Sequence, residues 1–173
     1  MSNIVFVNIL RFLALYFLQV LILRPASIGW EGFFYVNVHI YPLFILLLPL
    51  RMSKPVIMIL AFIMGLLIDM FYDSPGIHAS ALLFMAYARS YVLSYVEPRE
   101  GYNVNYSPTK KRFGLNWFFQ YASILIALQL FFYHSVEEFT FVYIIDILLK
   151  TFYSYLLTII VIMMVMFLFN PTD

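Results

Sequence analysis

Five ionisable side chains lie within apolar stretches of this sequence: Arg11, Asp69, Arg89, Asp146 and Lys150. A charged group inside an apolar span is energetically expensive and usually faces protein or water. Asp69 and Asp146 fall at similar estimated depths, and two carboxylates within reach of each other can perform acid–base catalysis. Because nothing in the sequence brings these two together, we predict that the chain is not an enzyme.

Four of these residues also have a purely structural interpretation, and the sequence leaves both roles open. Arg11 and Arg89 either extend toward the headgroups on the inner side or are buried within the protein. Asp146 and Lys150 are four residues apart with the acid first, a spacing that favours an ion pair on their own helix. We therefore treat all four as structural polar residues of the membrane domain.

Gly65, Asp69 and Asp73 follow one another at intervals of four residues and so share a helical face. Glycine permits close approach of a second helix, while Asp69 needs a partner or water. A structural hydrogen bond and a contact with another protein remain alternatives. A pair between Asp69 and Arg89 also remains open, although their depths differ by roughly 10 Å at ~1.5 Å per residue.

The sequence shows no pattern for a metal or a covalent nucleophile. His39, His78 and His134 are not spaced with one another or with carboxylates as ligands would be. The chain has no cysteine, which excludes disulfides and thiolate sites. The serines have no neighbouring base pattern. We predict neither a metal nor a cofactor, and a net charge of +1 gives no indication of a nucleic-acid partner.

The elements that must position these residues are membrane spans. Of 173 residues, 64% are hydrophobic and 11% charged, with a mean hydropathy of +0.92, which excludes an ordinary soluble domain. At ~20 apolar residues per span, the chain has room for about six spans and short loops, and we predict a single all-α membrane domain. The predicted spans are approximately 4–23, 33–50, 55–72, 79–96, 113–133 and 141–169.

Two of these spans are irregular. The second contains Pro42 and ends at Pro49, so it is either a continuous kinked helix, a broken helix or a re-entrant segment. The sixth is longer than a bilayer requires, so it tilts or extends beyond the membrane.

The distribution of basic residues predicts six crossings with both termini in the cytoplasm. With that orientation Arg24 is the one basic residue in the outer loops, whereas the outer acids are Glu31, Asp73, Glu137 and Glu138. The inner loops hold Arg51, Lys54, Arg99, Lys110, Lys111 and Arg112. Trp30 and Trp117 fall near opposite interfaces, as aromatic anchors do.

The stretch 65–79, GLLIDMFYDSPGIHA, carries a recognisable pattern. It places a Gly-x-x-x-Asp late in one span, then a Ser-Pro turn, a glycine and an apolar-His-Ala opening of the next span. This pattern resembles that of the rod shape-determining protein MreD family. The matching residues are Gly65, Asp69, Pro75, Gly76, His78 and Ala79. Family members often have an apolar residue between the proline and the glycine, which this chain lacks.

The resemblance implies a non-enzymatic scaffold in the bacterial cytoplasmic (inner) membrane, within the elongation complex that guides lateral peptidoglycan synthesis. The implied partners are a single-span periplasmic protein of the MreC type, an MreB-type filament, and the synthase pair of RodA and a penicillin-binding protein. It also implies a fold similar to the substrate-binding subunits of energy-coupling-factor transporters. The partner-binding residues would be Gly65, Asp69, Asp73, Pro75, Gly76 and His78.

A small-molecule transport subunit is the alternative function. Asn37, His39, His78 and Gln129 make the outer half of the predicted bundle polar. However, the outer loops are short and poor in the aromatic and polar residues that would close over a ligand.

Overall fold

A computed structural model describes residues 2–25, 36–103, 107–140 and 142–169, and every regular element in these ranges is helical. Trp30, Glu31, the first residues of the predicted second span and Phe141 lie outside them. The elements are α1 (Ser2–Phe17), which continues as a π-helical stretch (Leu18–Leu23), α2 (Pro42–Leu47), α3 (Lys54–Tyr72), α4 (Ile77–Tyr95), α5 (Lys110–Phe113), α6 (Leu115–Glu138) and α7 (Ile144–Phe169).

Four helical segments of the described chain are long and apolar enough to cross a membrane: Val5–Leu23, Lys54–Tyr72, Leu115–Glu138 and Ile144–Phe169. These correspond to the first, third, fifth and sixth predicted spans. The predicted fourth span forms α4, which has 19 residues but is interrupted by polar side chains. The all-helical architecture and its capacity to span a membrane are thus confirmed.

The predicted second span is not a continuous helix over its described part. Residues 36–40 are irregular, α2 has six residues, and Leu48 has an extended backbone (φ −61°, ψ 141°). Pro42 occupies the first turn of α2, where its missing N–H costs no hydrogen bond. The continuous kinked helix is therefore wrong, and this irregular backbone is consistent with both a broken helix and a re-entrant segment. It is tolerated because residues 39–49 are buried by the surrounding helices.

Gly65 allows α3 and α4 to approach each other closely. A Cβ at Gly65 would lie 2.3 Å from the Ala79 Cα and 2.7 Å from its backbone nitrogen. No side chain fits there, so the glycine makes the close approach expected of it. The partner, however, is the next helix of the same chain.

The opposite end of the bundle is closed by aromatic side chains of the 97–103 loop and α6. The Tyr102 ring centroid lies 5.9 Å from that of Trp117, and Trp117 Nε1 donates to the Val96 carbonyl at 2.7 Å. Burial raises the pKa of Tyr102 to about 12, so its hydroxyl stays neutral and donates to the Leu93 carbonyl at 2.8 Å. These contacts fix the end of α4 against the start of α6.

Candidate functional site

The turn between α3 and α4 is short because two residues adopt left-handed conformations. Asp73 has φ 50° and ends α3, while Gly76 has φ 85° and begins α4. Glycine takes this conformation without strain, and aspartate tolerates it better than most residues. Ser74 and Pro75 occupy the two positions between them. The turn therefore brings the end of α3 directly beneath the first N–H groups of α4.

The Asp69 carboxylate caps the start of α4 from the preceding helix. Its Oδ2 accepts hydrogen bonds from the backbone N–H groups of Gly76 (3.1 Å) and Ala79 (3.0 Å). Its Oδ1 accepts from the His78 N–H (2.9 Å) and the Ser74 hydroxyl (3.1 Å). A helix N-terminus has unpaired N–H groups and a partial positive charge, so a buried carboxylate is stabilised there.

His78 connects this cap to the interior. Its Nδ1 lies 2.9 Å from Asp69 Oδ1 and 3.0 Å from the Ser74 hydroxyl oxygen. Because an ionised carboxylate only accepts hydrogen bonds, Nδ1 carries the proton and donates to Asp69. The ring is fully buried, and its Nε2 has no hydrogen-bond partner. The histidine therefore has one ring nitrogen held by the turn and one buried without a partner.

Beyond His78, a group of buried aromatic and histidine rings surrounds Tyr133 of α6. The Tyr133 centroid lies 4.7 Å from that of His39 and 4.9 Å from that of His78, and the two histidine centroids are 5.5 Å apart. Gln129 Nε2 donates to the Tyr41 hydroxyl at 3.1 Å and lies 3.3 Å from His39 Nδ1. We call this set, His39, Tyr41, His78, Gln129 and Tyr133, the polar cluster.

The 36–41 segment crosses this region with its backbone bonded to side chains of two helices. Gln19 accepts from the Ile40 N–H (2.8 Å), and its amide donates to the Val38 carbonyl (3.1 Å) and the Tyr72 hydroxyl (2.7 Å). On the other side, the hydroxyls of Ser154 and Thr158 accept from the Asn37 and His39 N–H groups at 3.0 and 3.1 Å. Side chains thus replace the backbone partners that a helix would have supplied.

Several polar atoms of the polar cluster remain without partners. They are His39 Nε2, His78 Nε2 and Gln129 Oε1, together with the nearby His134 Nε2. The His134 Nδ1 lies 3.0 Å from Glu137 Oε2, an arrangement like that of His78 and Asp69. Within the described residues, no three histidine or carboxylate side chains are arranged to hold a metal ion. Most buried polar atoms in proteins have a hydrogen-bond partner, so unpartnered atoms grouped in one place are unusual.

The six residues predicted to bind a partner divide into two groups. Gly65, Asp69 and His78 are buried and contact their own chain, while Gly76 is partly buried. Asp73 and Pro75 are exposed on the turn, and the Asp73 carboxylate lies 3.8 Å from Arg24. The buried residues thus shape the turn, and a direct contact with a partner stays a prediction for the exposed ones.

The sequence left a pair between Arg89 and Asp69 open, and the structure gives each of them other partners. Arg89 is 2% exposed; its Nε donates to the Tyr121 hydroxyl at 2.9 Å and its terminal nitrogen to the Leu48 carbonyl. Arg89 is therefore structural and does not extend to the headgroups. Asp69 bonds within the α3–α4 turn instead, so the two form no pair.

The remaining predicted polar residues lie at the bundle surface. The Lys150 ammonium pairs with the Glu138 carboxylate of α6, not with Asp146 on its own helix. That interhelical pair is possible because α6 ends beside the first turns of α7. Asp146 is exposed and Arg11 is partly buried. The hydrogen bonds to Asp69 given above all come from the α3–α4 turn, and Asp146 contributes none of them.

Sequence reasoning missed the side chains that hold the irregular segment: Gln19, Tyr121, Ser154 and Thr158. Gln19 and Thr158 lie within strongly apolar spans, and a polar side chain in such a place is a signal that could have found them. Tyr121 gave no signal, because tyrosine is common throughout this chain.

Comparison with known proteins adds no relationship. No protein-family model matches the chain, and no curated protein or solved structure matches it either.

Proposed function

We propose that this chain is a non-enzymatic scaffold of the MreD type in the elongation complex that maintains bacterial cell shape. The observation that carries the proposal is the 65–79 stretch. Gly65, Asp69, Gly76 and His78 match the family pattern and are joined by contact or hydrogen bonding in one capped turn. A family pattern is expected to consist of residues that together form one structural feature.

The proposal includes a place in the bacterial cytoplasmic membrane, with six crossings and both termini in the cytoplasm. The excess of basic residues on one side supports this orientation. The four apolar helices are consistent with a multi-pass membrane protein. The proposed partners are an MreC-type periplasmic protein, an MreB-type filament and the pair of RodA and a penicillin-binding protein.

In this role the α3–α4 turn presents an outer surface, and the buried residues behind it hold that surface in shape. Gly65 sets the distance between α3 and α4, and Asp69 sets the first turn of α4. The residues left exposed, Asp73 and Pro75, are then held in a defined position without needing a large loop. A rigid, partly charged turn is a suitable contact for the membrane-proximal part of a periplasmic partner.

Affinity purification in mild detergent, with mass spectrometry of the bound proteins, tests the scaffold. The proposal predicts recovery of a single-span periplasmic shape protein or of cell-wall synthases. Asp73→Asn removes a charge at the turn while keeping a residue that tolerates positive φ, and we expect it to reduce recovery. Asp146→Asn makes the same change at an exposed site on α7 and serves as the matched control. Recovery of an ATPase module instead, or equal recovery with both variants, would contradict the proposal.

A substrate-binding subunit of a small-molecule transporter is the second candidate. The unpartnered buried atoms of His39, His78 and Gln129 favour it, because such atoms are suited to a polar ligand. Native mass spectrometry after mild extraction would then detect a small molecule, which Gln129→Leu would release. A protein that carries no small molecule but retains its protein partners counts against this candidate.

A further inference from the structure

A groove of about 580 Å³ lies between α1, the 44–52 segment and α3. Its walls are mainly apolar: Val5, Ile9 and Leu13 of α1 face Leu60 and Ile63 of α3 across it. Ile9 and Ile63 are 54% and 44% exposed, so the chain's own helices do not cover them. Both α1 and α3 can span a membrane, and the groove therefore opens toward hydrocarbon. Its volume is within the ~300–1,000 Å³ typical of ligand pockets.

Two polar side chains also line the groove, Asn8 and Arg51. Gln19 of α1 contacts Tyr72 at the end of α3, so Asn8 lies toward the opposite end of the bundle, where Lys54 begins α3. Arg51 precedes that helix start by three residues. The groove thus has an apolar body and polar groups toward one end, as a phospholipid does.

Neither of these two polar side chains is fully paired among the described residues. Asn8 Oδ1 is buried and has no hydrogen-bond partner. Arg51 is exposed, and no carboxylate pairs with it in the part of the chain that the structure describes. The neighbouring cation Lys54 is engaged elsewhere, since its ammonium lies 3.7 Å from the Tyr87 ring centroid and 4.9 Å from that of Tyr91. Arg51 is therefore the cation available to the groove.

We propose that the groove binds one anionic phospholipid. An acyl chain lies between α1 and α3, and the phosphate pairs with Arg51. Arginine matches phosphate geometry with paired donors. Selectivity for an anionic lipid follows from net charge, because a zwitterionic headgroup also carries a cation that opposes the attraction to Arg51. The site is independent of the proposed scaffold role, because it uses none of the residues of the α3–α4 turn.

Native mass spectrometry of the full chain tests the site. The purified protein is mixed with phosphatidylglycerol and phosphatidylcholine carrying identical acyl chains, in equal amounts. We expect preferential retention of one phosphatidylglycerol molecule. Arg51→Gln should lower that preference about fivefold, the effect of losing one basic contact near a membrane surface. Arg99→Gln removes an exposed arginine outside the groove and should leave the preference unchanged.

A second pair of variants locates the acyl chain. Ile63→Trp fills the groove and should reduce retention of both lipids, whereas Ile59→Trp changes an exposed residue of the same helix that does not line it. Size-exclusion profiles and helical circular dichroism establish that each variant is folded. Equal retention of the two lipids by the unaltered protein overturns the proposal. The proposal is also overturned if Arg51→Gln and Arg99→Gln have equal effects, or if Ile63→Trp leaves lipid retention unchanged. Crosslinking of a copurifying protein helix to the groove, in place of lipid, would overturn it as well.

Discussion

Replacing Asp69 by asparagine should lower the free energy of unfolding by about 2–4 kcal/mol. The carboxylate accepts hydrogen bonds at both oxygens, and an amide keeps only one of them. If Oδ2 becomes the NH₂ group, the N–H groups of Gly76 and Ala79 lose their acceptor. If Oδ1 does, the His78 N–H and the Ser74 hydroxyl lose theirs. In either case at least one buried donor is left without an acceptor, which costs ~1–3 kcal/mol. The remaining hydrogen bonds are also weaker, because their acceptor is no longer charged.

Asp69→Ala removes both oxygens and should cost more, because the donors at both oxygens then lose their acceptor, at ~1–3 kcal/mol for each buried unsatisfied group. Asp73→Asn is the control, because the Asp73 side chain is 90% exposed and its contact with Arg24 is long at 3.8 Å. Exposed ion pairs contribute at most ~1 kcal/mol. The assay is unfolding in mixed micelles by titration with a denaturing detergent, followed by circular dichroism. Equal stabilities of Asp69→Asn and Asp73→Asn would refute the capping role.

Four further substitutions test three other contacts by the same unfolding assay. Gly65→Ala should destabilise the protein by at least ~1–3 kcal/mol, because its Cβ would overlap the backbone of α4; a gain of ~1 kcal/mol, normal for this change in a helix, would contradict the close contact. Arg89→Met should lower the free energy of unfolding by about 3 kcal/mol, and Tyr121→Phe should lower it by about 1 kcal/mol. The two effects should not add in the double variant, because the two side chains share a hydrogen bond. Thr158→Val should cost ~1–3 kcal/mol by leaving the buried His39 N–H unpaired, and an unchanged stability would show that water replaces the hydroxyl.

Local patterns predicted the helices and the turn well, because both depend on residues close in sequence. Apolar runs of about 20 residues predict helices regardless of their neighbours. The spacing of Gly65 and Asp69 indicated a close contact and a required partner. The partner proved to be the next helix, a few residues further along the chain, since Asp69 bonds no farther away than Ala79.

Local patterns could not predict how the 36–49 segment is held in place, because its hydrogen-bond partners are distant in sequence. Ile40 bonds to Gln19 at a separation of 21 residues, and His39 bonds to Thr158 at a separation of 119. Proline positions showed that a regular helix was doubtful, but not which side chains would replace its hydrogen bonds. Lys150 is a similar case: the i, i+4 rule considers one helix, whereas Glu138 belongs to another.

The α3–α4 turn and the polar cluster share one residue, His78. Its Nδ1 donates to Asp69, which fixes the ring, and its Nε2 is buried without a hydrogen-bond partner. A load on the exposed turn that displaced Asp69 would free this ring to rotate or to exchange its tautomer. The hydrogen-bonding pattern offered to the polar cluster would then change. One side chain, His78, thus joins the exposed α3–α4 turn to the polar cluster.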